Sequence, residues 1–160
     1  MTTIYLGLGS NLGDRAENLR QAIEKLAPEI SVTKVSPVYE TEPMYGAQQA
    51  KFLNAVVEAD TGLAAMEVLR KIKAIEKEMG EHEHNGPRTI DLDVLFYANE
   101  KIETPELTIP HSGIAERAFV LMPMNDIAPD FVHPVLRGTI AELLAQLADT
   151  SDVQKTNITL

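Results

Sequence analysis

Apolar positions alternate with small or polar ones at Ile4, Leu6 and Leu8, a pattern that predicts a strand over residues 3–8. The glycine-rich stretch Gly7-Leu8-Gly9-Ser10-Asn11-Leu12-Gly13 is then expected to break it in a tight turn. Asp14 reads as a helix N-cap with Glu17 as its capping-box partner. Leu19, Ala22, Ile23 and Leu26 follow at helical spacing until Pro28 closes the run. Residues 32–39 and 52–60 are rich in β-branched and aromatic side chains and predict two strands, joined by a polar loop with Pro43 and Gly46. Ala65, Val68, Leu69, Ile72, Ile75 and Met79 form the apolar stripe of a second helix, and Gly80 is its natural stop. A polar loop over residues 81–88 leads into a strand over residues 89–97. Beyond it come a loop through Pro105 and Pro110, a short helical stretch over residues 117–121, and a last helix with Thr139 and Glu142 as capping box.

The predicted order is strand, helix, strand, strand, helix, strand. A direct connection between the second and third strands favours an antiparallel α+β sheet over a doubly wound parallel one. Residues 1–150 are expected to form a single domain, with residues 151–160 a polar C-terminal tail that frays. The chain of 160 residues is 44% apolar, as expected of a globular protein. It has no run near the ~20 apolar residues that span a bilayer. A start without a basic region ahead of an apolar core, and the absence of cysteine, point to the cytoplasm and exclude disulfide and thiolate–metal chemistry. Net charge changes the picture further. With 24 acidic and 14 basic residues, and a formal charge of -10, nucleic acid is not an expected partner. A small anionic substrate remains compatible, held through metal ions and a few local cations.

Asp91 and Asp93 are the sharpest chemical signal. In a strand they share one face while Ile90, Leu92 and Val94 take the other. Two adjacent carboxylates repel unless a cation sits between them, and hard oxygen ligands at this spacing suit Mg²⁺. A bare Asp-x-Asp is also compatible with a solvated strand face. Gly86-Pro87-Arg88 directly before it favours the metal reading, because it sets a fixed turn and a guanidinium beside the pair. The stretch from Gly7 to Gly13 resembles a dinucleotide-binding loop but is one residue too long, and the strand order is wrong for one. His82-Glu83-His84 has the spacing of a metal clip, but a third ligand has no source.

Asn85-Gly86-Pro87-Arg88-Thr89-Ile90-Asp91-Leu92-Asp93-Val94-Leu95 resembles the signature of the 6-hydroxymethyl-7,8-dihydropterin pyrophosphokinases. Gly9-Ser10-Asn11-Leu12-Gly13, Phe52-Leu53-Asn54-Ala55, and Leu107-Thr108-Ile109-Pro110-His111 followed by Arg117-Ala118-Phe119-Val120-Leu121 agree with that family in order and spacing. The resemblance implies a ferredoxin-like α+β fold, mainly antiparallel, with helices on both faces of the sheet. It implies transfer of diphosphate from ATP to the hydroxymethyl group of the reduced pterin, releasing AMP, in tetrahydrofolate synthesis. Asp91 and Asp93 would then hold two Mg²⁺ ions on the ATP phosphates. Arg88, His111 and Arg117 would contact those phosphates, with Thr108 close by and Glu76 lining the ATP side. Phe52 and Phe119 match the positions that sandwich the pterin, though by sequence alone both read as core residues. Thr41, Pro43, Met44 and Asn54 match positions around its polar edge, and Asn11 is expected to face it.

The loop after Gly80 departs from the family. It carries Glu81-His82-Glu83-His84-Asn85 where arginines and a tryptophan are usual, and it is shorter. Ser112 replaces a common tyrosine, and Glu106 stands where a cation is frequent. The acidic loop keeps a second reading open, a catalytically weakened pterin- or nucleotide-binding homologue. A third is an α+β interaction domain whose acid pair is surface charge. Docking of a neighbouring folate-pathway enzyme is a further expectation of the resemblance.

Overall fold

The structure is a computed structural model that describes residues 1–42, 50–80 and 86–160. Its elements run β1 (Thr2–Ser10), α1 (Arg15–Leu26), β2 (Ile30–Val35), β3 (Tyr39–Thr41), β4 (Phe52–Thr61), α2 (Ala65–Met79) and β5 (Asp91–Tyr97). They continue with β6 (Ile102–Glu103), β7 (Thr108–Ile109), a 3₁₀ turn (Ile114–Glu116), α3 (Ala118–Ile127), α4 (Ile140–Ala145) and β8 (Val153–Lys155). The main sheet is ordered β5-β1-β4-β3-β8 with β2 also on β4, and every pairing in it is antiparallel. The path β1-α1-β2-β4-α2-β5 on this order is the expected ferredoxin-like arrangement.

The sheet is buried on both faces. Leu19, Ala22 and Leu26 of α1, and Val68, Ile72 and Ile75 of α2, pack with Ile4, Leu6, Leu8, Leu53, Val57 and Leu92 on one side. On the other, Tyr5, Val56, Leu95 and Phe96 meet Val120, Leu121 and Met124 of α3 and Ile140 and Leu143 of α4. Each Leu, Ile, Val, Phe or Met among them, fully buried, contributes about 1.5–3 kcal/mol. The expected N-caps are in place, but only the last helix has the expected reciprocal box, since the Glu17 carboxylate pairs with Arg20 and not with the Asp14 amide. Asp14 accepts from the Glu17 amide at 3.2 Å, and Thr139 and Glu142 form a reciprocal box.

Four further expectations need correction. The glycines do not break β1, which runs to Ser10 and sets Gly7 opposite Asp93 and Gly9 opposite Asp91. The strand expected over residues 32–39 is two strands, because Ser36 and Pro37 interrupt it; a proline cannot donate to a ladder. Residues 151–160 are not a frayed tail. β8 adds to the edge of β3, Val153 is buried, and Arg20 donates to the Thr159 carbonyl at 3.0 Å. The helix expected over residues 117–121 runs on as α3 to Ile127, with Pro123 inside it.

At the break between β2 and β3 the Ser36 hydroxyl replaces the missing ladder. Its oxygen accepts from the buried Val56 amide at 2.9 Å, while the Ser36 amide donates back to the Val56 carbonyl at 2.9 Å. Ser36→Ala should therefore cost about 1–3 kcal/mol in urea denaturation, with an unchanged m-value, because it strands a buried amide. Stability equal to that of the parent would show that the hydroxyl does not hold this break.

Candidate active site

The geometry begins with β5. Pairing with β1 turns Asp91 and Asp93 to the α3 side of the sheet, opposite Gly9 and Gly7. A bulge between Tyr5 and Leu6 then lets both Leu95 and Phe96 join the core beneath α3. The glycines leave the floor beside the carboxylates without side chains. A Cβ on Gly9 would stand 2.9 Å from the Asn54 Oδ1 and 3.5 Å from the Phe52 ring.

A cavity of about 250 Å³ opens beside this floor, lined by Asp91, Asp93, Arg88, His111, Arg117, Phe52, Phe119, Asn54, Thr41 and Glu42. Residues from β3, β4, β5, the loop before α3 and α3 itself thus meet in one place. Asn54 and Thr41 are buried, and the Asn54 amide donates to the Thr41 hydroxyl at 3.0 Å, which fixes both. Phe52 and Phe119 are only half-buried, so neither is the plain core residue that sequence alone suggests. The Arg117 guanidinium lies over the Phe119 ring, 5.8 Å from its centroid.

The acid pair is poorly compensated. Arg88 stands 3.7 Å from Asp91, and His111 Nε2 stands 3.8 Å from Asp93. Burial first, then repulsion from Asp91, pushes the Asp93 carboxyl up to about 7, with Lys73 and Arg117 opposing. Burial, and then Arg117, push the His111 imidazole below its ordinary value. His111 Nδ1 accepts from the Gly113 amide at 3.2 Å, so its neutral ring carries the proton on Nε2, aimed toward Asp93. This arrangement can hold a divalent cation with anionic oxygens on it, and it can present donors to those oxygens. Among the described residues no group of three or more His, Asp or Glu forms a complete cage. Two poorly compensated carboxylates, with no third carboxylate or imidazole grouped with them among the described residues, fit Mg²⁺, which takes one or two carboxylates and fills its shell with water and phosphate.

A second cavity of about 220 Å³ shares Asp93 and His111 with the first and includes Thr108, Ser112, Glu106 and Lys73. Two expected site residues lie elsewhere. Asn11 is 3% exposed and lines neither cavity. Its Oδ1 accepts from the Arg88 amide at 2.7 Å, its own amide donates to the Arg88 carbonyl at 3.0 Å, and its Nδ2 donates to the Ala50 carbonyl at 3.2 Å. It therefore holds the Arg88 turn against the start of β4. Glu76 is also buried and lines neither cavity. It accepts from the Leu92 amide at 2.8 Å on the open edge of β5 and pairs with Lys73 at 3.1 Å. Pro43, Met44 and residues 81–85, with His82 and His84, lie outside the described residues. Glu42 and Lys73 escape sequence reasoning. The one available signal for Lys73 is its place one helical turn before Glu76.

Residues 5–129 match the model of the 7,8-dihydro-6-hydroxymethylpterin-pyrophosphokinase family. The Aquifex aeolicus 2-amino-4-hydroxy-6-hydroxymethyldihydropteridine pyrophosphokinase is 44% identical over 144 residues, spanning 89% of this chain and 90% of that protein. The folic acid synthesis protein of Pneumocystis carinii is 43% identical over 91% of this chain, which spans only 20% of that longer protein. A Plasmodium falciparum HPPK-DHPS crystal structure superposes with a TM-score of 0.79 over 96% of this chain and 48% of its own, at 18% identity, which speaks to the fold. The chain belongs to the 7,8-dihydro-6-hydroxymethylpterin-pyrophosphokinase family. Its enzyme class is accordingly that of an ATP-dependent diphosphotransferase.

The raised Asp93 carboxyl has a measurable consequence. Its folded value of about 7 lies above the ordinary value of about 3.9, so stability present below the lower value is lost as pH rises through 7. In metal-free buffer at pH 8, Asp93→Asn should melt about 2–4 °C above the parent, a modest gain because water reaches the carboxylate. The gap should narrow as pH falls and close only below about pH 4, where the carboxyl is protonated in the folded and the unfolded state alike. A variant melting at or below the parent at pH 8 would show that the charge is not held at a cost.

Proposed function

We propose that this chain transfers the terminal diphosphate of ATP to the hydroxymethyl oxygen of 6-hydroxymethyl-7,8-dihydropterin, releasing AMP, as one step of cytoplasmic tetrahydrofolate synthesis. The observation that carries the proposal is one cavity lined both by a poorly compensated acid pair and by two half-buried phenylalanine rings. The slot between Phe52 and Phe119 suits a flat bicyclic ring, and Asn54 and Thr41 supply the donors and acceptors its pyrimidinone edge requires. Two Mg²⁺ ions entering with ATP would be held by Asp91 and Asp93 and would supply charge neutralisation at the phosphate oxygens.

The remaining chemistry falls to the chain's own side chains. Arg88 and Arg117 present permanent positive charge to the diphosphate, and His111 presents its Nε2–H without adding charge. The rings and Asn54 orient the hydroxymethyl group, so the barrier is lowered mainly by positioning and electrostatics. The hydroxymethyl oxygen bonds to the β-phosphorus as the bond from that phosphorus to the oxygen bridging the α-phosphorus breaks. The electron pair leaves on AMP, and the hydroxyl proton passes to solvent. A folate-pathway enzyme as partner belongs to this proposal. It is supported by the plasmodial HPPK-DHPS chain and by the bifunctional folate synthesis protein of pea.

The test supplies ATP, Mg²⁺ and the hydroxymethyldihydropterin and identifies the nucleotide released. AMP is expected, whereas ADP would mean an ordinary kinase. Binding of both substrates without either product would make the chain a catalytically weakened homologue.

Gly9→Ala tests the slot. The added methyl meets a buried, hydrogen-bonded Asn54, so pterin affinity measured by calorimetry should fall by about tenfold, roughly 1.4 kcal/mol. Nucleotide affinity without pterin should change little. Equal losses for both ligands would place the pterin away from this floor.

A further inference from the structure

Resting on that reaction, we propose that Lys73 is a leaving-group cation: its ammonium turns from Glu76 to the α-phosphate of the nucleotide and stays with AMP as it departs. The two cavities join at Asp93 and His111, so a nucleotide reacting beside the acid pair in the first has its remaining portion in the second. Leu69, Ile72 and Leu107 offer that portion apolar surface, and Thr108 and Ser112 offer hydroxyls. Among the described residues, Lys73 is the only lysine or arginine lining this second cavity. Arg88 and Arg117 both face the first.

Three further observations support the assignment. The Lys73 side chain is 59% exposed and its partner Glu76 only 11%, so the lysine is the movable half of the pair. Glu76 keeps the Leu92 amide when the ammonium leaves. Residues 81–84 read Glu-His-Glu-His and carry no lysine or arginine, so permanent positive charge on the departing side has to come from another element. As the bond between the β-phosphorus and the bridging oxygen breaks, its electron pair passes to AMP. Negative charge therefore grows next to the second cavity, where a cation favours the transition state over the ground state.

The experiment compares the parent with Lys73→Met and Lys73→Arg in two arms. In the turnover arm, Lys73→Met should lower kcat with saturating ATP by about tenfold or more and weaken product inhibition by AMP. Lys73→Arg should restore most of both. Melting temperature, and pterin affinity without nucleotide, should stay at the parent's values. The binding arm titrates AMP with Mg²⁺ calorimetrically and needs no catalysis; Lys73→Met should bind AMP about tenfold more weakly. A parent that binds AMP but makes none from ATP sinks the pyrophosphokinase reading while the binding arm still decides on Lys73. Unchanged AMP affinity and unchanged kcat in Lys73→Met would overturn the proposal and leave Lys73 as a surface partner of Glu76. A parent that does not bind AMP would overturn it too.

Discussion

Two carboxylates held side by side on one strand face repel each other, and that repulsion organises the rest of this molecule. Asp91 and Asp93 cannot turn away from one another because Leu92, Val94 and Ile90 are buried under α1 and α2. The apolar alternation of β5 therefore fixes the acids as firmly as it fixes the core. Glu76 caps the open edge of the same strand at Leu92, adding a third negative charge close by for the sake of a rigid strand. The free energy needed to hold Asp93 near an opposing charge of the same sign comes from packing on both faces of the sheet.

Around this pair the structure sorts its ligands by chemistry. Side chains missing at Gly7 and Gly9 leave space beside Asn54 and the acids, and half-buried phenylalanines line the adjoining cavity. Cationic and imidazole groups, Arg88, Arg117, His111 and Lys73, surround the acids in two joined cavities, with Arg117 also lying over the Phe119 ring. Asn11 ties the two sides together, since one buried amide grips both the Arg88 turn and the chain entering β4. A residue of that kind acts on the site through the geometry of others.

Much of the site was legible in the chain because motif and element coincide. The strand period sets Asp91 and Asp93 on one face, and the collinear segments name Phe52, Asn54, His111, Arg117 and Phe119, all of which reach one cavity. The backbone partners of Asn11 and Glu76 were not legible, because a polar residue within a motif looks the same whether it meets a ligand or a backbone amide. Only the fold brings Arg88 and Leu92 within reach of them. Lys73 went unnoticed for a related reason: a lysine on an amphipathic helix is ordinarily a solvated one, and its neighbours come from a strand and a loop far along the chain.

Local chemistry is therefore what the sequence determined by itself. It set the caps at Asp14 and Thr139, the stripe of α2, the alternation of β5, the family and the donor set for a hard cation, since each depends on residues close in order. The tertiary structure decided what depends on distant partners. Gly7 and Gly9 became a cavity floor and not a turn because β5 pairs beside them, and the C-terminal segment became a strand because the edge of β3 was open to it. Backbone hydrogen bonds have to be satisfied somewhere, and only the assembled sheet shows where.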